Sequence, residues 1–231
     1  MTAQHNVRGD VAVLVPAAGA GVRLGAGIPK ALCLLAGEPL LVHAIRRVLA
    51  APSVGFVVVA APPGDPAAVG ELAGPVTVVL GGATRQASVA AALAAVPDRY
   101  GIILIHDAAR ALAPTSLVES VAAAVRAGRD AVIPVLPVVD TVKEVSASGQ
   151  VVGTVDRSVL RAVQTPQGFR RAVLAAAHAA ATDEHTDDAG MVEKLGVPVH
   201  TVPGAESAFK ITRPVDLLFA EALLAGRTLA S

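Results

Sequence analysis

The sequence is poor in cysteine and carries no net charge, and each of these features excludes a class of protein. Cys33 is the only cysteine among 231 residues, so neither an intrachain disulfide nor a cysteine-based zinc site can form. The 19 basic residues balance the 19 acidic ones. This balance argues against a nucleic-acid or membrane-surface binder, because such proteins usually carry a basic excess or patch. A small anionic ligand remains compatible, since it needs only a few well-placed cations.

Long apolar runs and aromatic residues are also missing. No uncharged apolar stretch reaches the ~18 residues that a membrane span requires, and the N-terminal stretch MTAQHNVRGD lacks the apolar core of a signal peptide. We therefore expect a cytoplasmic protein that does not contact membranes. Aromatics make up 2% of the chain and hydrophobic residues 53%, so the core must be packed mainly with Ala, Val, Leu and Ile.

What the sequence does contain is an alternation of short β-branched runs and helical patterns. Nearly continuous apolar runs, typical of strands covered on both faces, predict strands at 11–15, 55–60, 75–80, 101–105 and 130–135. Helical periodicity predicts helices at 39–51, 65–73, 85–96 and 114–127. Ser116 and Glu119 have the spacing of a capping box for the last of these. The alternation predicts an α/β fold with a doubly wound, mostly parallel, Rossmann-like sheet.

The alternation breaks after the fifth predicted strand. Residues 137–165 contain two extended stretches joined by a turn at 147–149. Such a hairpin does not fold alone, so it must pack on something, for example a second subunit. Further elements are predicted as helices at 170–181 and 187–195, strands at 197–202 and 207–211, and a final helix with Thr212 as N-cap and Pro214 in its first turn. We interpret residues 1–231 as one domain with an inserted β-arm at about 137–157.

A glycine-rich, cationic stretch, VPAAGAGVRLGAGIPK at 15–30, follows the first predicted strand. Open α/β sheets bind ligands at the carboxyl ends of their strands, and glycines let backbone N–H groups approach phosphates. The stretch fits neither a Walker loop, because Ala31 follows Lys30, nor a dinucleotide fingerprint, because Leu24 replaces the third glycine. A G-x-G-x-R pattern that includes Arg23, followed by P-K, is typical of nucleotidyltransferases that activate small molecules.

Three further groups of residues suggest parts of a phosphate site. Asp107 follows the fourth predicted strand and is suited to anchor Mg²⁺, although it is also suited to cap a helix, while the neighbouring His106 is interpreted as a packed, hydrogen-bonded residue. The stretch 81–88, GGATRQAS, is compatible with reading a base edge, partly through Ser88, or simply with a turn and a cap. Lys210 lies in an apolar segment, where its charge either meets an anion or reaches the surface.

Taken in order, these motifs resemble those of the 2-C-methyl-D-erythritol 4-phosphate cytidylyltransferase family from about residue 11 to 225. The resemblance rests on PAAGAGVRL, IPK, GGATRQAS, HDAAR, DTVK, TVDR, QTPQGF, TDDA and FKITRP. It implies a nucleotidyltransferase that uses Mg²⁺ to transfer CMP from CTP to a sugar-alcohol phosphate in isoprenoid precursor synthesis. It also implies a homodimer in which each subunit's arm serves the active site of its partner.

The resemblance assigns roles residue by residue. The implied catalytic cations are Arg23, Lys30, Arg157 and Lys210. The implied CTP-binding residues are Ala17, Ala18, Gly19, Gly21, Gly82, Ala83, Ser88, Asp107 and Ala108, with Asp107 also the implied metal ligand. The implied acceptor-binding residues are Thr141, Arg157, Thr165, Thr186 and Lys210. Ala83 stands where some members carry an acid, so base selectivity depends on whether that contact is made through the backbone.

Other functions remain open at this point. A ribitol 5-phosphate cytidylyltransferase resembles the same family through most of these motifs, although TVDR and TDDA favour the methylerythritol enzyme. A sugar-1-phosphate nucleotidyltransferase is disfavoured because the arm and its motifs do not fit one. A CTP-binding regulatory protein is the non-enzymatic alternative, and the intact set of charged residues argues against it.

Overall fold

The computed structural model describes residues 9–18, 29–62, 69, 71, 74–183 and 185–226 of the chain. The strands are β1 (Val11–Pro16), β2 (Leu34–Leu35), β3 (Glu38–Pro39), β4 (Val54–Ala61), β5 (Thr77–Leu80), β6 (Ile102–Ile105), β7 (Ala131–Pro137), β8 (Val142–Val145), β9 (Val151–Val155), β10 (Arg161–Val163), β11 (Gln167–Arg170) and β12 (Val199–Pro203). The α-helices are α1 (Leu40–Leu49), α2 (Arg85–Ala94), α3 (Thr115–Arg126), α4 (Arg171–Ala180), α5 (Asp188–Lys194) and α6 (Pro214–Leu224). Short 3₁₀ helices lie at Lys30–Leu32, Arg157–Val159 and Glu206–Ala208.

A mixed, mostly parallel sheet forms the centre of the molecule. Its strands follow the order β10-β7-β11-β6-β1-β4-β5, and β12 also pairs with β7. The pairs β6-β1, β1-β4, β4-β5 and β7-β12 are parallel. β11 runs antiparallel to both of its neighbours, and β10 runs antiparallel to β7. The predicted α/β class and mostly parallel sheet are therefore confirmed, with β10 and β11 as antiparallel additions that the sequence pattern did not predict.

Helices cover both faces of this sheet, as the continuous apolar strands predicted. Because side chains alternate between the faces of a strand, Val11, Val13 and Val15 of β1 pack on one side with α1 and α3. Ala12 and Leu14 pack on the other side with α2, α4 and α5. This two-sided burial is what the doubly wound arrangement requires. No helix in the described part of the chain is both long and apolar enough to cross a membrane.

The arm forms a two-stranded hairpin of its own. β8 and β9 pair antiparallel to each other in a separate sheet. The turn between them is closed by the N–H of Ser146, which donates to the carbonyl of Gln150 at 2.9 Å. Gly149 has a φ of 83°, a left-handed conformation that favours glycine. The predicted turn is thus confirmed, and the hairpin leaves several valine side chains exposed.

Three local predictions are wrong or displaced. The capping box at Ser116 does not form, because α3 begins after Pro114 without a side-chain cap and Glu119 instead accepts the N–H of Ser53 at 2.9 Å. The strand predicted at 207–211 is absent, because Glu206–Ala208 is a 3₁₀ helix. The final helix starts at Pro214, one residue later than predicted.

The cap of that helix is also reversed relative to the prediction. The carboxylate of Asp216, inside the first turn, accepts the N–H groups of Thr212 and Arg213 at 2.7 and 2.8 Å. Thr212 therefore donates to the cap instead of providing it. The helix predicted at 65–73 lies outside the described residues, apart from the helical positions Val69 and Glu71.

Candidate active site

A cavity of about 300 Å³ opens at the carboxyl edge of the sheet, where β1, β5 and β6 end. Neighbouring strands hold this edge together: the N–H of Gly81 donates to the carbonyl of Ala61, and that of His106 to the carbonyl of Leu14, both at 2.8 Å. The cavity is lined by Pro16, Ala17, Ala18, Lys30, Ala31, Gly82, Ala83, Thr84, Arg85, Ser88, Asp107, Ala108, Ala109 and Lys210. It lies where an open α/β sheet is expected to bind its ligand.

The wall formed by residues 81–88 is a tight turn that leads into α2. Thr84 caps the helix, its hydroxyl accepting the N–H of Ala87 at 3.1 Å. The Ser88 hydroxyl donates to the carbonyl of Thr84 at 2.8 Å and accepts the N–H of Gly82 at 3.1 Å. A Cβ at Gly82 would come within 2.4 Å of the Ala87 Cβ, so only glycine allows this close approach. Ser88 therefore holds the shape of the turn.

Asp107 lies on the cavity wall between two cations. Its Oδ2 is 2.8 Å from Lys210 Nζ, and its Oδ1 is 3.4 Å from Arg85 Nε. Burial opposes ionisation of this carboxyl, but the positive charges of Arg85 and Lys210 outweigh that effect and hold its pKa well below the usual range. Asp107 is therefore a carboxylate throughout the neutral pH range.

Thr165 and His106 support Asp107 from behind. The Thr165 hydroxyl accepts the backbone N–H of Asp107 at 3.0 Å and lies 3.2 Å from His106 Nδ1. His106 is buried, and burial lowers its pKa to about 4. The imidazole is therefore neutral at pH 7, in agreement with its interpretation from the sequence as a packed, hydrogen-bonded residue.

Arg85 connects this wall to the TDDA motif at 186–189, which contains the predicted acceptor residue Thr186. Its Nη1 donates to Oδ2 of Asp188 at 2.6 Å, and the second oxygen of Asp188 lies 3.2 Å from His178 Nε2. Burial disfavours the charge on Arg85, yet Asp188 and Asp107 outweigh it and raise the pKa of the guanidinium. The Asp188 side chain is fully buried. Sequence reasoning assigned no role to either residue.

The structure brings most of the predicted CTP-binding residues together around the cavity, with the predicted catalytic residue Lys30 and the predicted acceptor residues Lys210 and Thr165. Those on its lining are Ala17, Ala18, Lys30, Gly82, Ala83, Ser88, Asp107, Ala108 and Lys210, with Thr165 behind Asp107. Gly19, Gly21 and Arg23 lie outside the described residues. Thr186 is exposed in the turn before α5 and does not line the cavity.

Two predicted acceptor residues lie on the arm, away from the lining of this cavity. Thr141 and Arg157 are both exposed, and the Arg157 guanidinium donates to the carbonyl of Val139 within the same arm. Neither side chain lines the cavity of its own chain. The described residues therefore bring predicted CTP-binding residues together with Lys210 and Thr165, but without the arm residues.

Comparison with known proteins identifies the family. The family model for 2-C-methyl-D-erythritol 4-phosphate cytidylyltransferase matches residues 11–226, which is nearly the whole chain. The chain belongs to this family. Membership in the cytidylyltransferase family makes the chain a nucleotidyltransferase, as its motifs predicted.

Individual cytidylyltransferases agree with this assignment. The chain is 58% identical over 216 residues to that of Frankia casuarinae, covering 93% of this chain and 81% of the relative. It is 56% identical to that of Saccharopolyspora erythraea, covering 94% and 100% of the two chains. The crystal structure of the Thermus thermophilus cytidylyltransferase superposes with a TM-score of 0.79 at 42% identity, covering 93% and 98%. The predicted nucleotidyltransferase fold is thereby confirmed.

The wall of this cytidylyltransferase cavity contains few metal ligands. Within the described ranges, no three His, Cys, Asp or Glu side chains are close enough together to hold a metal ion. Asp107 is the one acidic side chain among the described lining residues. The described lining therefore offers a metal ion one carboxylate.

Proposed function

We propose that this protein transfers CMP from CTP to 2-C-methyl-D-erythritol 4-phosphate and releases pyrophosphate, in isoprenoid precursor synthesis. The observation that carries the proposal is the cavity at the sheet's carboxyl edge, where Lys30, Lys210 and Asp107 meet the Gly82 turn in a member of a cytidylyltransferase family. We also propose that the enzyme works in the cytoplasm. Its single cysteine cannot form an intrachain disulfide, which is compatible with a reducing compartment.

The proposed reaction needs charge stabilisation more than proton transfer. A phosphate oxygen of the acceptor, already anionic at neutral pH, attacks the α-phosphorus of CTP. A new P–O bond forms while the P–O bond to the β-phosphate breaks, and the electron pair leaves with pyrophosphate. No general base is required, which agrees with a neutral, buried His106. Catalysis therefore consists mainly of bringing two anions together and stabilising the charge on the transferring group.

Cations on several elements supply that stabilisation. Lys30 ends the glycine-rich stretch at 15–30, and Lys210 comes from the segment between β12 and α6. We propose that Arg23 acts with Lys30 on the triphosphate and that Lys210 and Arg157 position the acceptor phosphate. In the ligand-free protein Lys210 is paired with Asp107, so its ammonium group is neutralised until an anion competes for it.

The nucleotide is proposed to lie along the Gly82 turn, with backbone groups of residues 17–19, 21 and 82–83 and the Ser88 side chain forming its contacts. Ala83 lines the cavity but has only a methyl side chain. Any polar contact at this position is therefore made by its backbone N–H or C=O. Base selectivity then depends on the shape of the turn that Ser88 and Gly82 maintain.

Asp107 fits a magnesium ion delivered with the triphosphate. Mg²⁺ typically binds one or two carboxylates together with substrate phosphates and several waters, and Asp107 is an ionised carboxylate on the cavity wall. Each of its oxygens has a lone pair beyond those facing Lys210 and Arg85. When bound, the ion would neutralise triphosphate charge in the transition state.

We propose a homodimer in which the arm of one subunit completes the cavity of the other. Val145, Val151 and Val152 of the hairpin are 53%, 62% and 64% exposed, and apolar surface gathered on one exposed element is typical of a protein interface. A two-stranded hairpin has little stability of its own. Thr141 and Arg157 would then join Thr165, Thr186 and Lys210 on the acceptor side of the partner's site.

The test is pyrophosphate release with CTP and Mg²⁺, with methylerythritol 4-phosphate and ribitol 5-phosphate offered in parallel. The proposal expects turnover with the first acceptor and little with the second. Turnover with ribitol 5-phosphate alone would contradict the proposed acceptor while keeping the chemistry. CTP binding without turnover on either acceptor would instead support a regulatory, non-catalytic protein.

A further inference from the structure

The ion pair between Arg85, on the cavity wall, and Asp188, outside the lining, has no role in the reaction proposed above. Arg85 is the first residue of α2, where the helix dipole disfavours a cation. Asp188 is the first residue of α5 and its side chain is fully buried. A buried charge is tolerated only when it is paired, so each of these residues depends on the other.

The Arg85 guanidinium contacts two carboxylates at different distances. Its contact with Asp188, at 2.6 Å, is short, as expected of a charge-assisted hydrogen bond. Its contact with Asp107, at 3.4 Å, is longer. Asp107 is bonded more closely to Lys210, at 2.8 Å. Asp188 thus binds Nη1 of the guanidinium closely, while Nε stays 3.4 Å from Asp107.

We infer that Asp188 is a positioning residue, which acts on the reaction by fixing Arg85 and so determining how Asp107 is presented to the cavity. Without the charge of Asp188, the Arg85 guanidinium is free to close on Asp107 as a full ion pair. Asp107 would then be held by two close cations, and its oxygens would be less available to a ligand in the cavity. This inference rests on the proposed function, because it gives Asp107 a part in the transfer of CMP.

Asp188 is itself held in place from its other side. Its Oδ1 lies 3.2 Å from Nε2 of His178 on α4, and both side chains are buried or nearly so. The turn that precedes α5 is also bonded to α2 through a second contact besides Arg85–Asp188. The N–H of His185 in this turn donates to Oε1 of Gln86 at 3.3 Å. Gln86 therefore offers a matched control that loosens the turn without touching Asp107.

The test is a double-mutant cycle on kcat, with Asp188→Asn and Asp107→Asn made singly and together. Asp188→Asn keeps the side-chain shape and the capacity for hydrogen bonds. We expect it to lower kcat about tenfold in the wild-type background and less than twofold in the Asp107→Asn background, because coupled residues do not add. An equal loss in both backgrounds would overturn the inference, since a structural effect does not need Asp107.

A second readout does not depend on turnover. In ligand-free, metal-free protein labelled with ¹³C at aspartate carboxyls, the resonance that disappears in Asp107→Asn should shift in Asp188→Asn and stay unchanged in Gln86→Ala. Gln86→Ala should also keep kcat within twofold of wild type. An unmoved Asp107 resonance, or a loss of kcat in Gln86→Ala equal to that in Asp188→Asn, would overturn the inference. A wild-type protein without turnover would refute the proposed function instead, while the carboxyl resonance would still test the positioning.

Discussion

The proposed exchange of arms between subunits predicts the activity of mixed dimers. In a heterodimer of Arg157→Ala and Lys30→Ala subunits, the body of the first subunit has an intact Lys30 and receives an intact Arg157 from its partner's arm. The other site lacks both cations. One of the two sites is therefore complete, and a purified heterodimer should show about half of wild-type activity, since the two sites of a symmetric dimer are equivalent. Random mixing of equal amounts, which makes half of the dimers mixed, should give about one quarter.

The prediction depends on where the two cations lie. Arg157 is exposed and does not line the cavity of its own chain, whereas Lys30 lines it. The assay is pyrophosphate release by heterodimers co-expressed with two affinity tags, each parent homodimer being measured alone. The matched control pairs Lys30→Ala with Lys210→Ala. Both of these residues line the same body's cavity, so this heterodimer should recover nothing. Equal, near-zero activity in both heterodimers would refute the arm exchange.

Three further predictions concern the cavity and its support. Lys30→Ala should lower kcat by ~10²–10³, the loss typical of one preorganised electrostatic donor, and near-normal turnover would remove Lys30 from the mechanism. Burial lowers the pKa of His106 from 6.5 to about 4, so the native state resists its protonation and stability falls as pH drops through this window. Urea unfolding should show wild type losing about 3 kcal/mol more than His106→Asn between pH 7 and 4; identical losses would contradict a buried neutral imidazole. Gly82→Ala should lower the free energy of unfolding by about 1–3 kcal/mol and raise KM for CTP, because its Cβ would meet Ala87 at 2.4 Å, whereas Gly101→Ala, with open space around it, should do neither.

The parallel part of the fold could be predicted because its strands are buried on both faces. A run such as Val11–Val15 has no polar side at all, and only a sheet covered by helices on each face accommodates it. β11, QGFR, gives no such signal, since Gln167 and Gly168 are poor strand formers. Its place is decided by packing: a Cβ at Gly168 would lie 2.5 Å from Val121 of α3. A contact between parts of the chain that are distant in sequence cannot be predicted from the local pattern.

The candidate site, like the fold, contains residues that could be predicted from the sequence and residues that could not. Three charged residues of the cavity could be predicted from local sequence signals. These signals are the glycine-rich stretch for Lys30, the strand end for Asp107 and the apolar segment for Lys210. Arg85 and Asp188 are 103 positions apart, and no local pattern connects them. A signal for Arg85 was nevertheless present, because a cation in the first turn of a helix needs an acidic partner to offset the dipole. The sequence did not indicate which acid that would be.

In the proposed mechanism, the cavity supplies charge and position to a single displacement at the α-phosphorus, with Lys30 as a cation and not as a nucleophile. The most direct test is the stereochemistry of the reaction with CTP made chiral at the α-phosphorus by sulfur substitution. One in-line attack by the acceptor phosphate predicts inversion at that phosphorus in the diphosphocytidyl-methylerythritol product. Retention would mean two displacements through a covalent nucleotidyl-enzyme, and would contradict the account.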